Sequence, residues 1–336
     1  MIAATMNHTA TFRSESSAMP KHVHVLRIAL FALLFLLTTA AVAAKESPLD
    51  KELREAALIG DVEQARSLLD KGANPNSKTA FGKSAMMFAA EEGNLDVVEL
   101  LLTRGADVNA RSSVGCTALT FASEQGDLPL VQRLLKAGAR MQDKTRAGWD
   151  ALSLASRYNH AEVVELLLSR GANVNVSDRD GFTPLMIAAE KDNGAVVRLL
   201  LGAGADTDLR NRDGANALIV AAGEGHLHVV QLLLDHGVDI NAVSDDGSGA
   251  LAWSAGNDHL HTTELLLGRG ADINHQDVNG TTALMEAAAN GHAKIVRLLL
   301  EHGADAALKD KHGATALSLA RAGKHQECIN LLEQAR

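Results

Sequence analysis

Ser254 lies in Ala252-Trp253-Ser254-Ala255-Gly256, a stretch with the form of a nucleophile elbow in which alanine replaces the first glycine. An elbow works because a strand runs into the serine and a helix leaves it, so that the hydroxyl stands clear of the backbone. Here no strand pattern precedes, and Ser254 falls on a small-residue position of an apolar helical pattern. His226 and His228, with His259 and His261 one 33-residue step later, form two His-x-His pairs of the type that bind zinc. Nitrogens must come within about 2 Å of a zinc ion, and helices of neighbouring units pack about 8–10 Å apart, so His228 and His261 are not expected to share one. Asp178, Asp180, Asp213, Asp245, Asp246 and Asp277 suggest calcium but lack the spacing of a calcium loop, and aspartates in turns ordinarily bond their own backbone. The expectation is therefore no catalytic residue, no cofactor, no metal and no enzyme; a hydrolase or metal enzyme is the least favoured alternative.

The elements that carry these residues are repeated. Glycine recurs at steps of 33 from Gly82 through Gly115 and Gly148 to Gly313, and a second comb from Gly72 to Gly303 keeps the same step ten residues earlier. An uninterrupted period of this length marks a solenoid, in which each unit buries its apolar face against its neighbours. With aromatics at 3% and five prolines in 336 residues, the composition suits close-packed helix pairs better than a sheet core. In the unit that opens at Gly181, Thr183 is a helix N-cap and Pro184 the first helical residue. Leu185, Ala188 and Ala189 make one apolar helix face, Val197, Leu200 and Leu201 a second, and Gly204 ends the second helix. The turn formers up to Asp213 then predict a hairpin-like loop that projects from the stack.

With Gly181-Phe182-Thr183-Pro184-Leu185, Ala188-Ala189, Val196-Val197-Arg198-Leu199-Leu200-Leu201 and Gly204-Ala205-Asp206, the unit resembles the ankyrin repeat. The resemblance covers roughly 49–336. It implies an all-α solenoid of helix–loop–helix units at a period of 33, with finger-like hairpins and a concave face made by the fingers and first helices. It further implies a non-catalytic module that binds another protein, as a monomer. The expected division is an N-terminal capping repeat over 45–81, seven complete repeats over 82–312 and a C-terminal capping repeat over 313–336. Gln64 and Arg66 in the first unit fall where the Val-Val-x-Leu core would lie, and Glu333 in the last falls where Leu102, Leu168 and Leu300 stand elsewhere, as ends of a stack require. The family's histidine after Thr-Pro-Leu is missing from every unit. The unit from Gly247 departs most, with Gly249 for the capping residue, Trp253 and Gly256 in the first helix and Thr262-Thr263 for two valines. It is expected to be the weakest point of the stack and a candidate binding or bending site.

Residues 1–44 read as a secretory signal: Lys21 and Arg27, the apolar run 28–37, then Ala41-Val42-Ala43 as a cleavage pattern, with Met19 as a second possible start. The ten-residue core is short of the roughly 20 needed to span a bilayer, so export to the periplasm is expected. An uncleaved anchor that tethers the chain to the membrane, facing the periplasm, is the alternative and the one route to membrane contact. Without residues 1–44, 29 basic stand against 40 acidic residues, a formal charge of −11, which disfavours nucleic acid as a partner. Cys116 and Cys328 lie 212 residues apart, more than six units and roughly 50 Å or more, and cannot bridge within one chain. Cys116 is either a free thiol or half of an intermolecular disulfide.

Register predicts the concave surface. The sixth residue after each turn glycine runs Phe88, Phe121, Leu154, Ile187, Val220, Trp253, Glu286 and Leu319. The ninth and tenth add Glu91, Glu124, Arg157, Tyr158, Glu190 and Lys191, and the first adds Trp149 and Phe182. Trp149, Tyr158 and Phe182 on adjacent units are the leading contacts, since Trp and Tyr are favoured anchors of interfaces. A basic row on the fingers, Lys78, Arg111, Lys144, Arg146, Arg179, Arg210 and Arg212, serves either to steer an acidic partner or to keep the array soluble.

Overall fold

Thr183 accepts a hydrogen bond from the Met186 N–H at 3.3 Å and Pro184 occupies the first helical position, so the cap and the absent N–H together leave few orphaned donors. Ser84, Thr117, Asp150, Asn216, Thr282 and Thr315 cap their own units in the same way. The computed structural model describes residues 47–335, which hold eighteen helices in nine pairs. The expected signal segment 1–44, with the alternative start Met19, lies outside the described residues.

The pairs are α1 and α2 (Pro48–Ile59, Val62–Asp70), α3 and α4 (Ala85–Glu91, Leu95–Thr103), and α5 and α6 (Ala118–Gln125, Leu128–Lys136). Next come α7 and α8 (Ala151–Arg157, Ala161–Ser169), α9 and α10 (Pro184–Glu190, Gly194–Gly202), and α11 and α12 (Ala217–Gly223, Leu227–Asp235). The last are α13 and α14 (Ala250–Gly256, Leu260–Gly268), α15 and α16 (Ala283–Asn290, Ala293–Glu301), and α17 and α18 (Ala316–Gly323, Gln326–Gln334). From α3 onward the first helices stack on one another, the second helices form a parallel row, and each first helix packs on its own second helix. Residues 49–336 form one compact unit. Leu185, Ala188, Val197 and Leu200 are all buried, so the spacing read from the sequence is the spacing of the core. At the ends, Gln64, Arg66 and Glu333 are exposed, and Glu333 accepts from Arg321 at 2.6 Å.

Fingers are joined by backbone. The Ser113 N–H donates to the Phe81 carbonyl at 2.8 Å, Arg212 to Asp180 at 2.9 Å, and Val278 to Asp246 at 2.9 Å, so each tip is held by the next. Gly214 shows why the tip needs glycine: its φ is +75°, and a β-carbon there would lie 2.4 Å from the Asp245 nitrogen. Gly204, of the other comb, has a similar φ of +80° but nothing within 4 Å, so only its conformation matters.

Most of the finger cations bond the next finger. Lys78 donates to the Arg111 carbonyl at 3.4 Å, Arg111 to that of Lys144, Lys144 to that of Ser177 at 2.8 Å, and Arg210 to that of Val243. Arg146 reaches the Ser113 carbonyl at 3.0 Å, and Arg212 pairs with Asp180 at 3.2 Å. These six side chains lace neighbouring fingers together, while Arg179 has no such bond among the described residues. A matching lacing runs below: His160, His226, His259, His292 and His325 each donate Nε2–H to a carbonyl of the preceding first helix, all at 2.9 Å.

The unit from Gly247 is irregular in a coordinated manner. Gly249 gives α13 no side-chain cap. Ser254 is fully buried and donates to the Leu251 carbonyl at 3.1 Å, while Thr263 Oγ1 lies 3.1 Å from Ser254 Oγ and 2.9 Å from the His259 carbonyl. A hydroxyl pair thus sits where other units hold an alanine and a valine.

Candidate functional site

The face made by the first helices and the fingers gathers most of the expected contact residues into one chain of interactions. It begins at Lys83, on the finger before α3, whose ammonium bonds the Glu91 carboxylate and lies 4.3 Å from the Phe88 ring centre and 4.9 Å from that of Phe121. Cation–π attraction and the ion pair therefore tie two adjacent units through one side chain. Glu124, on α5, hydrogen-bonds Tyr158 at the end of α7; burial pushes its carboxyl pKa up, and the nearby Glu91 charge adds to this. Burial, with the Glu124 charge behind it, likewise raises the Tyr158 phenol. Arg157 stacks its guanidinium 5.0 Å from the Trp149 ring, and Trp149 Nε1–H donates to Asp178 Oδ2 at 2.8 Å. The other oxygen of Asp178 accepts the Phe182 N–H at 2.8 Å, which carries the chain of contacts to a fourth unit.

Of these, Tyr158 is the most open, with 44% of its surface exposed and its ring stacked 6.3 Å from that of His160. Phe88, Phe121, Trp149 and Phe182 are half-buried. Glu190 and Lys191 pair with each other at 2.9 Å. Trp253 stands apart on α13, half-buried, with its Nε1 enclosed and without a hydrogen-bond partner. The register argument over-reached at three places: Leu154, Ile187 and Val220 are 5%, 2% and 4% exposed, because adjacent first helices stack closely enough to cover them.

From the sequence, Glu286 stands in the concave row without being singled out, and Asp178 reads as a turn former; neither that nor the position of Lys83 after its turn glycine marks them as leading contacts. The signal for Glu286 was available: it is the one charged residue in an otherwise apolar register. Burial drives its carboxyl up to about 7, and the two charges that act on it, Asp277 and Asp246 on the fingers, push in the same direction. The thiol of half-buried Cys116 is also raised, chiefly by burial, and Cys328 is fully buried. An elevated thiol pKa at neutral pH leaves little thiolate to react.

The other chemistry considered does not assemble. His228 Nε2 lies 3.1 Å from an Arg198 nitrogen, and His261 faces Glu264 at 3.7 Å, so each is engaged by a different group. Among the described residues, no three His, Cys, Asp or Glu side chains gather as a metal site would require, and no helix is long and apolar enough to cross a membrane. Ser254, enclosed between α13 and α14, has no route to a substrate.

A family model described as ankyrin repeats, three copies, matches the chain over 53–145, 119–211, 185–277 and 255–335. Successive matches overlap and leave no gap between 53 and 335. No curated protein matches the sequence.

Proposed function

We propose, from the premise that the chain belongs to the ankyrin-repeat family, that it is a non-catalytic scaffold, inhibitor or accessory factor of the cell envelope. Ankyrin repeats are protein–protein interaction units, and this array offers one continuous surface of fingers and first helices for the purpose. The observation that carries the reading is the linked cluster from Lys83 to Phe182, in which the rings of Phe88, Phe121 and Trp149 are held by cations while Tyr158 stays open. Rigid aromatic anchors that need little ordering on contact are what a protein interface uses. The segment 1–44, with its short apolar core and Ala41-Val42-Ala43, supports export to the periplasm, and an uncleaved tether is the second reading. Mass of the mature N-terminus separates the two.

A crosslinking pull-down from the envelope fraction tests the function directly. The intact array is compared with a Trp149→Ala/Tyr158→Ala/Phe182→Ala variant whose helix content and melting are checked first. A protein captured by the former and lost with the latter supports an interaction module with its site at this cluster. Identical capture by both removes the cluster from the site, and capture by neither overturns the scaffold reading.

A further inference from the structure

Each finger ends in two residues before its turn glycine, and a backbone ladder holds these tips in one row. From Ser113 N–H on the Phe81 carbonyl to Lys311 N–H on the Asn279 carbonyl, each tip donates to the one before it at 2.6–3.1 Å. Eight tips thus follow one another at a step set by one repeated hydrogen bond, and both residues of every tip are exposed. Phe81, Val114 and Val278, on the first, second and seventh tips, are 65%, 47% and 49% exposed. They are three of the seven large apolar side chains that stand open among the described residues, so open apolar surface gathers on this row. The third tip is cationic through Arg146, the sixth acidic through Asp245 and Asp246, and the eighth cationic through Lys311. The two central tips, Arg179-Asp180 and Arg212-Asp213, carry both signs. Arg212 and Asp180 meet each other at 3.2 Å, while the side chains of Arg179, Asp213 and Asp245 make no hydrogen bond or ion pair among the described residues.

We propose that the finger tips dock a second copy of this chain, antiparallel about a two-fold axis that sets the fourth tip of one copy against the fifth of the other. The inference goes beyond the interaction reading, which concerns the inner face, and puts a dimer in place of the monomer that the family resemblance implies. Complementarity of the row with its own reverse carries it. In this register Arg179 faces Asp213 of the second copy, Arg146 faces Asp245 and Asp246, Val114 faces Val278, and Phe81 faces Lys311 for a cation–π contact. Symmetry makes each of these contacts twice, as a self-complementary interface requires. A shift of one finger in one direction sets Val114 against Asp245 and Asp246, and in the other against Lys311, so charge and apolar contact select the same register. Two residues on each of eight tips fall short of the roughly 20–30 a side of a standard interface, so dissociation on the order of 10 µM is expected.

Sedimentation velocity of the purified full chain, over concentrations that bracket about 10 µM, tests the proposal. A monomer that converts to a dimer as concentration rises is the expected result. Arg179→Asp and Asp213→Arg are each expected to weaken the dimer about ten-fold or more, and Val114→Asp likewise. Arg179 and Asp213 make no bond within the chain, so neither substitution disturbs the fold. An equimolar mixture of the Arg179→Asp and Asp213→Arg chains is expected to dimerise again, because residue 179 of each copy then meets the opposite charge at 213 of the other. A monomer at every concentration, single variants that associate as tightly as the parent, or a mixture no tighter than its components would overturn the proposal. The measurement needs no other protein, so its failure leaves the interaction reading and its pull-down untouched.

Discussion

In the units that open at Gly82, Gly115, Gly148 and Gly181, the inner face carries Glu91, Glu124, Arg157 and Glu190; from Gly214 onward the same register holds Gly223, Gly256, Ala289 and Ala322. The first set is bound up with Lys83, Tyr158, Trp149 and Lys191, so its charges are met within the chain. The second set leaves Glu286 with like charges for company. One backbone period thus supports two kinds of surface, one closed by its own contacts and one left open. The difference arises in side chains, since the helix pairs and the finger ladder run through both halves.

The comparison requires both halves to share one rigid frame, and the largest expected effect is on that frame. Gly214→Ala meets both a left-handed φ and a backbone nitrogen at 2.4 Å, and is expected to cost about 3 kcal/mol or more. Gly204→Ala, with similar φ and open space, should cost about 1 kcal/mol. Equal melting temperatures for the two would show that the fingers give way easily.

A second experiment separates the halves by pH. In the fold Glu286 titrates near 7 against an ordinary 4.5, so between these values the folded state keeps a proton that the unfolded chain has lost. Stability from this group is therefore present at low pH, falls as pH rises through that window, and levels off above it. Glu286→Gln should melt like the parent near pH 4.5 and be more stable by about 1–3 kcal/mol at pH 8. Urea unfolding at the two pH values checks it, and a constant difference would mean that the carboxyl is not strained.

In the first half the sign reverses. Lys83→Met removes the partner of Glu91 and the cation over two rings, and should destabilise by about 1 kcal/mol at pH 7, measured by the same unfolding. If Glu286→Gln and Lys83→Met shift stability alike at pH 8, the contrast between closed and open surfaces is wrong.

The smallest effect concerns the irregular unit. Gly249 has φ −96°, and a β-carbon there would meet only the Ala242 carbonyl at 3.5 Å, so Gly249→Thr fits the backbone and restores the cap used elsewhere. A gain of about 0.5 kcal/mol in thermal unfolding is expected. A loss would show that the uncapped start of α13 is held by something other than chain entropy.

Period, caps and core were legible because each depends on local chemistry repeated in phase. Thr183, Pro184 and Gly204 announce a helix start and stop, and Leu185, Ala188, Val197 and Leu200 a pair of buried faces. The site was legible only in part. Register put Phe88, Trp149 and Tyr158 in the inner-face rows, yet it counted Leu154 and Val220 as surface and gave no sign that Lys78 and Lys144 bond carbonyls of the next finger. A repeat makes each position's row known, but what covers it depends on side chains one period away.

The sequence alone thus determined that the chain is an ankyrin array, because phase-locked turn, cap and apolar spacing has one economical way to bury its faces. Only the tertiary structure decided where charge is satisfied. Lys83 meets Glu91 and two rings five to thirty-eight residues away, and Arg111 bonds a carbonyl 33 residues on. Glu286 is left facing Asp246 and Asp277. Electrostatic energy depends on distance and burial in three dimensions, and neither is written in the order of residues along the chain.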